Sequence, residues 1–365
     1  MKIYHFALIT TILVGCQSNR YTECLQVEYL SQEILEKSIY LQAETLDYKF
    51  TEKFIEYGNN FYVYNDSLLV IAESEQYDGP LLNIINLRTK NPIFQAFNRG
   101  NGHNELLGID IRLSNNQLII NDWVKQKIAT LCLDSVKYDS TPQVNLIKHD
   151  LPVPVAFPSE NGLIYANPLC FTDKNIGINQ GYPKYPRLLL AKNYTAPITF
   201  SKNEYYTGNV AGGGNILVGN ERILYLSPHQ SYLELFDKEL NLLRRIEGPL
   251  RLEEEYDLAQ MGDMKSVVFK NRIPYSYLSY CYDNNYVYIT YIGDYLTKGK
   301  SMKDFNSYII QINWDGEFIK SYSSDGYLFS ISKSKDKDIF YATLIGDDET
   351  PHLVKLTTSN SNSIN

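Results

Sequence analysis

The stretch Arg99-Gly-Asn-Gly-His-Asn-Glu105 holds the densest local chemistry in the chain. Gly100 and Gly102 allow backbone N–H groups to converge on an anion, with the Arg99 guanidinium beside it and His103 and Glu105 close by. It is not a phosphate loop: GxxxxGK[ST] is absent, and a GxGxxG pattern fails at Glu105. The same residues also suit a plain connection between two sheets, in which the glycines take positive φ and Glu105 caps nearby N–H groups. Asn209 to Asn215, with Gly212-Gly213-Gly214, carries the same two readings.

Other reactive side chains are dispersed. The five histidines, His5, His103, His149, His229 and His352, form no HxH or HxxxH pair, so spacing indicates no metal centre. Asp347-Asp348-Glu349 and Glu253-Glu254-Glu255 read as solvated acidic faces and lack the alternating oxygen ligands of a calcium loop. There is no GxSxG nucleophile, and a glycosidase carboxylate pair would have to come from distant segments. Trp123 and Trp314 lie beside polar residues, which suits either packing between sheets or a sugar platform. Cys24, Cys132, Cys170 and Cys281 are scattered without a CxxC; in an exported protein they allow two disulfides, but Cys132 and Cys281 sit in apolar runs and read as core residues. No catalytic signature emerges and no cofactor is implied.

The elements that must position these residues are strands. Ile109 to Leu133 sets the plan: a short alternating strand, a polar turn at Asn115-Asn116-Gln117, an apolar strand, a polar bend, and a further apolar strand. The plan returns along the chain. Aligned on the residue after each polar turn, Leu68, Leu118, Leu163, Ile223, Tyr286 and Ile339 are spaced by 50, 45, 60, 63 and 53 residues. The turns are rich in Asn, Asp and Gly, which tolerate positive φ and close hairpins. The fold expected is all-β: a six-bladed β-propeller of four-stranded antiparallel blades, each burying its faces on its neighbours, with the ring closed by an N-terminal strand within Tyr48 to Ile55. Gln32 to Leu46 has a loose helical pattern. Phe171 to Pro186 reads as an inserted loop, and Arg251 to Lys265 as a short charged helix or loop.

Bulk properties bound the function. The chain has 365 residues, 44% hydrophobic and 21% charged, with a net charge of −8 and 31 tyrosines. A sizeable core is within reach. The negative balance argues against nucleic acid as a partner, because phosphate binding needs a basic field. The tyrosines fit half-buried strands, or an aromatic binding surface.

Met1 to Cys16 has the form of an export signal: Lys2, an apolar run from Phe6 to Val14, then Leu13-Val14-Gly15-Cys16. This ending resembles the lipobox of bacterial lipoproteins, which implies lipidation at Cys16 and anchoring on a membrane. Gln17 at the second position implies the outer membrane. The expected layout is a signal over 1–15, an N-terminal tether and irregular segment over 16–47, the propeller over 48–358, and a disordered tail over 359–365.

Three further stretches resemble the TolB-like six-bladed propeller lipoproteins of Gram-negative bacteria. Phe97 to Glu105 is similar to that family's Gly-x-Gly-x-x-Glu turn, with Asn104 where the turn usually has Pro; the others are Tyr288 to Gly293, and Ile312-Asn-Trp-Asp-Gly316 with Ile339-Phe-Tyr-Ala342. The resemblance transfers no catalytic residue. In a propeller, Ile109 to Arg112 would be an innermost strand, directing Asp110 or Arg112 to the channel. Arg99, His103, Glu105, Asp110, Arg112 and Trp123 are therefore the candidate ligand-binding residues. The expected function is a monomeric, non-enzymatic, lipid-anchored envelope domain that binds a peptide, protein or glycan. The alternatives are a hydrolase or lyase with an axial site, and a purely structural subunit.

Overall fold

The computed structural model describes residues 27–46, 61–73, 79–114, 116–122, 124–136, 142–149, 156–159, 162–166, 188–191, 214–219, 221–253, 255–261, 264–336 and 338–358. Its architecture is all-β. The stretch that sets the sequence plan folds as β7 (Asp110–Ser114), β8 (Gln117–Asp122) and β9 (Lys127–Cys132), and β10 (Val144–Lys148) completes a four-stranded antiparallel meander. Asp110 pairs with Asn121 and Ser114 with Gln117. The central strand β8 is buried from Leu118 to Asp122. A strand covered on both faces reads as a continuous apolar run, while strands with one open face alternate.

The same meander recurs. β3 (Phe61–Tyr64), β4 (Leu68–Ala72), β5 (Leu82–Asn86) and β6 (Pro92–Ala96) precede it. Asn65 and Asp66 both take positive φ, 52° and 53°, and so close the β3–β4 hairpin with the twist its strands need. After it come β11 (Ala156–Ser159), β12 (Gly162–Ala166) and β13 (Leu188–Ala191), then β14 (Asn215–Val218), β15 (Ile223–Leu226), β16 (Tyr232–Phe236) and β17 (Leu242–Glu247). An eight-stranded sheet contains the last two meanders. One is β20 (Arg272–Tyr282), β21 (Tyr286–Thr297), β22 (Asn306–Asn313) and β23 (Phe318–Asp325); the other is β24 (Tyr327–Lys333), β25 (Ile339–Ile345) and β26 (Pro351–Thr358).

Successive meanders pack face to face, which makes the fold β-propeller-like. Leu68, Val70 and Ile84 meet Ile111, Leu118 and Leu131. Leu224 and Leu233 meet Val287 and Ile310. Tyr288 and Tyr322 meet Phe340 and Leu356. Phe61, Val63 and Ile71 of the first meander meet Tyr341 and Leu353 of the last. The innermost strand β24 packs against both β20 and β3.

The N-terminal segment differs from expectation. Residues 27–46, read as irregular tether, belong to the sheets. β1 (Val27–Tyr29) adds in parallel to β17, Glu33–Glu36 forms one helical turn, and β2 (Ile39–Thr45) pairs antiparallel with β26 from Leu41↔Thr358 to Thr45↔Val354. The strand completing the last meander is thus β2; Tyr48 to Ile55 lies outside the described residues. Six of the seven β2 residues are exposed and only Leu41 is buried, so this strand carries almost no period-2 signal. The segment Arg251 to Lys265 differs too. Its second half enters an antiparallel hairpin, β18 (Tyr256–Met261) with β19 (Met264–Phe269). The acidic run before it masked the short strand pattern. Phe171 to Pro186 lies outside the described residues.

Candidate functional site

The turns between the first and second strands of four meanders gather around one cavity of about 1040 Å³. Tyr62, Val63, Tyr64 and Asn65 come from the first meander, and Leu113 and Asn116 from the second. The run Tyr280 to Tyr286 and then Tyr288, Gln311, Ile319 and Lys320 come from the β20–β23 meander. Ser332 to Lys335 and Asp338 come from the last. Six of these residues are tyrosines and five are side-chain amides, whereas the aliphatic ones are Val63, Leu113 and Ile319.

One wall is a cross-strand ladder. Sheet register aligns Cys281 with Tyr288, Tyr288 with Gln311, and Gln311 with Lys320, so these four side chains cross all four strands on one face. Asp283 organises the turn above it. Its Oδ1 accepts from the N–H groups of Asn285 (2.8 Å) and Tyr286 (2.9 Å), and its Oδ2 from the Tyr288 hydroxyl (3.0 Å). Burial, and then the Asp283 carboxylate, raise the Tyr288 pKa. Asp338 accepts from Lys320 Nζ at 2.6 Å and from the Tyr322 hydroxyl. Lys333 donates to the carbonyls of Ser334 and Asp336, and its ammonium stands 5.9 Å from the Tyr288 ring centre and 5.4 Å from that of Phe340. Burial lowers its pKa. Burial raises the pKa of the Cys281 thiol well above its ordinary value, so this cysteine is a packing residue and not a nucleophile.

Gln311 is the exception among these satisfied groups. It is 4% exposed and lines the cavity, yet its Oε1 has no hydrogen-bond partner. A buried amide acceptor left unpaired destabilises a protein by roughly 1–3 kcal/mol, and this oxygen is closed to the solvent of the cavity.

Two of the sequence candidates, Asp110 and Arg112, meet each other but are not among the residues that line the cavity. Asp110 Oδ1 lies 3.0 Å from Arg112 Nη1, and Arg112 Nη2 donates to Asn215 Oδ1 at 3.1 Å. The Tyr62 hydroxyl donates to the Ile111 carbonyl, and that of Tyr280 to the Ile216 carbonyl. The cluster therefore ties β3, β7, β14 and β20 together at their innermost edge. Burial, the largest single influence, pulls the Arg112 pKa down, but Asp110, Tyr62 and Tyr280 together outweigh it and the net direction is up, so the guanidinium stays charged.

Arg99 to Glu105 lies at the opposite end of β7 from the cavity. Arg99 Nη1 donates to the Leu107 carbonyl at 2.8 Å, and the Gly102 N–H donates to Glu105 Oε2 at 2.6 Å. Lys125 Nζ donates to the carbonyls of Gly100, Gly102 and Glu105 at 3.0, 2.8 and 2.8 Å, and Lys127 Nζ to that of His103 at 2.6 Å. The loop therefore presents carbonyls to two lysines, and its Gly102 amide is already held by its own glutamate. Gly100 takes a φ of 156°, and a Cβ there would meet the Glu105 carboxylate at 2.1 Å, so a larger residue would have to displace that side chain. Trp123 and Cys16 lie outside the described residues. Trp314 packs edge-on against Tyr282, ring centres 5.4 Å apart, and donates its indole N–H to the Asp283 carbonyl. Cys132 and Cys281 are free thiols, and the described residues contain no group of three His, Cys, Asp or Glu side chains placed to hold a metal.

Sequence reasoning missed Tyr288, Gln311, Lys320 and Lys333. The polar turns that align the repeat were the available signal, because Asn65, Asn116, Asp283 to Asn285, Lys335 and Asp338 line the cavity.

No family model matches the chain, and no curated protein matches it. Among solved structures it is similar to an exported-protein candidate from Bacteroides fragilis NCTC 9343, at 12% identity and a TM-score of 0.51, over 92% of this chain and 99% of that one. It is also similar to a member of the DUF4221 family from Bacteroides vulgatus ATCC 8482, at 13% identity and a TM-score of 0.51, over 88% of this chain and 98% of that one. At such identities the likeness is one of fold: this chain has the all-β, propeller-like architecture of those Bacteroides proteins.

Proposed function

We propose that this chain is an exported, lipid-anchored, six-bladed propeller of the TolB-like kind that binds a polar envelope ligand in the cavity among its first-to-second-strand turns. The observation that carries this reading is the cavity of about 1040 Å³ that the first-to-second-strand turns of four meanders surround, with six tyrosines and five side-chain amides among its lining. A site tuned for acid–base chemistry would leave its carboxylates available, whereas Asp283 and Asp338 are spent on turn N–H groups, tyrosine hydroxyls and Lys320. The six-bladed ring is supported by the recurring meanders, the packing of last on first, and the β2–β26 pairing. Export and the outer membrane are supported by the lipobox-like Leu13 to Cys16 and by the likeness to an exported-protein candidate.

Two measurements test this. Isothermal titration of the full chain with envelope peptides and glycans should give saturable, enthalpic binding; a flat titration across both classes sinks the reading. Palmitate labelling in a Gram-negative host should mark the protein and vanish in Cys16→Ser, and a labelled variant sinks the anchor.

A further inference from the structure

We infer that the cavity-bearing end of the molecule is the surface it turns to the membrane, and that the partner it meets there is the phospholipid headgroup layer. The inference rests on the lipid anchor proposed at Cys16 and adds the orientation that such an anchor imposes. The direction of β1 is the first argument. β1 runs parallel to β17, from Val27↔Arg245 to Tyr29↔Glu247, and its Glu28 pairs with Arg244. Arg244 Nη1 donates to the Asp315 carbonyl at 2.8 Å, and the neighbouring Trp314 donates to the carbonyl of Asp283, a cavity residue. β1 therefore starts toward the cavity end and runs away from it, so the chain enters the fold on the cavity side. Ten residues, 17 to 26, separate Cys16 from Val27. A chain of that length reaches at most about 40 Å, and a flexible one averages roughly 15–20 Å. The 12 residues of β21 alone span roughly 40 Å from the cavity end to the other. Seating the far end on the bilayer would take the connection back along the height of the molecule at close to its full extension.

The exposed apolar side chains are the second argument. Ile93, Leu243 and Ile319 are each the second residue of the fourth strand of a meander, β6, β17 and β23, and Ile39 opens β2, which completes the last. All four stand at the cavity end of their strands, and they are 39% to 42% exposed. Tyr40 adjoins Ile39, whereas the other large apolar residues exposed among the described ones, Tyr29, Val124 and Val268, share no equivalent position. Aliphatic side chains repeated at one level of several meanders gain by leaving water for the boundary between headgroups and acyl chains. The turns that lead into β6, β17 and β23 carry both signs of charge, in Arg88, Lys90, Lys238, Glu239, Asp315 and Glu317. Such a mixture suits zwitterionic headgroups and lacks the basic cluster that selects anionic ones.

The test is energy transfer from the full lipidated chain to phosphatidylcholine vesicles that carry a rhodamine-headgroup lipid. A donor fluorophore is attached through p-azidophenylalanine in place of Asn284, exposed in a cavity-end turn, or of Lys298, exposed in the turn at the far end of β21. Because β21 holds the two positions roughly 40 Å apart, transfer should be at least about twofold more efficient from position 284 than from position 298. Ile93→Asp combined with Leu243→Asp should bring that ratio toward one at an unchanged thermal midpoint, since both sites are exposed, and Leu243→Asp alone serves if the pair fails to fold. An unchanged ratio overturns contact through these side chains. Equal transfer in the parent, or stronger transfer from position 298, overturns the orientation and leaves the anchor and the binding role standing. A chain that takes up no palmitate overturns the anchor and this inference with it.

Discussion

Arg112 and Glu73 show how single side chains set this protein's response to mutation and pH. The Arg112 side chain is 11% exposed and its partner Asp110 24%. Removing one member of a buried pair leaves a charge without compensation, so Asp110→Ala should lower stability by about 3 kcal/mol. Arg112→Met in the same background should recover most of that loss; urea unfolding of the two single variants and the double variant measures the coupling. Glu73 is 3% exposed and accepts a hydrogen bond from Asn83 at 2.6 Å, and burial pushes its pKa up to about 8. An acid whose folded pKa is raised binds more protons folded than unfolded between its ordinary value and about 8. Stability therefore falls as pH rises through that window. The fall should be about 2–4 kcal/mol and should disappear in Glu73→Gln, which keeps the acceptor for Asn83. Denaturant midpoints of both proteins at about pH 5 and about pH 8 read it, and parallel pH profiles would refute the assignment.

Among the elements, β2 matters most beyond its length. It covers β26 and touches β23 through Ile39↔Tyr322 and Tyr40↔Ser323. Without it β26 would present an unpaired edge, a template for aggregation. A chain beginning at Val27 should keep the thermal midpoint of the full chain, whereas one beginning at Tyr48 should aggregate on expression; equal solubility of the two would show that the edge is protected otherwise. Within β2 the one buried side chain, Leu41, is 1% exposed, and Leu41→Ala should lower stability by about 2–4 kcal/mol. The central strands were legible because burial on both faces made them apolar runs, as in Leu68–Ala72. The N-terminal strands β1 and β2 were not, since their identity depends on the strands they join.

For the whole molecule, the junction between first and last meanders decides cooperativity. Phe61, Val63, Leu69 and Ile71 pack there against Tyr341 and Leu353, and the Asp66 carboxylate accepts from the Lys335 N–H at 3.0 Å. In a closed ring, loosening this junction weakens every sheet together. Leu353→Ala should lower stability by about 2–4 kcal/mol with far-UV dichroism and tyrosine fluorescence melting in one coincident transition. Separate transitions would mean that the meanders unfold as independent units, as in an open array.

By itself the sequence determined the strand-rich class, the repeat of about four strands per unit and the polar turns that end each first strand. Those are local properties, written in period-2 alternation and in the Asn, Asp and Gly content of turns. It also determined that Asp110 and Arg112 share a strand and a face, because side chains two apart on a strand point the same way. Only the tertiary structure decided that Tyr288, Gln311 and Lys320 form one ladder, since register between strands is not written in spacing along the chain. Tertiary structure alone also turned the Arg99–Glu105 loop toward Lys125 and Lys127 and away from the cavity. A site assembled from side chains of four meanders has no sequence motif, because the geometry that joins them is made by packing of sheet on sheet.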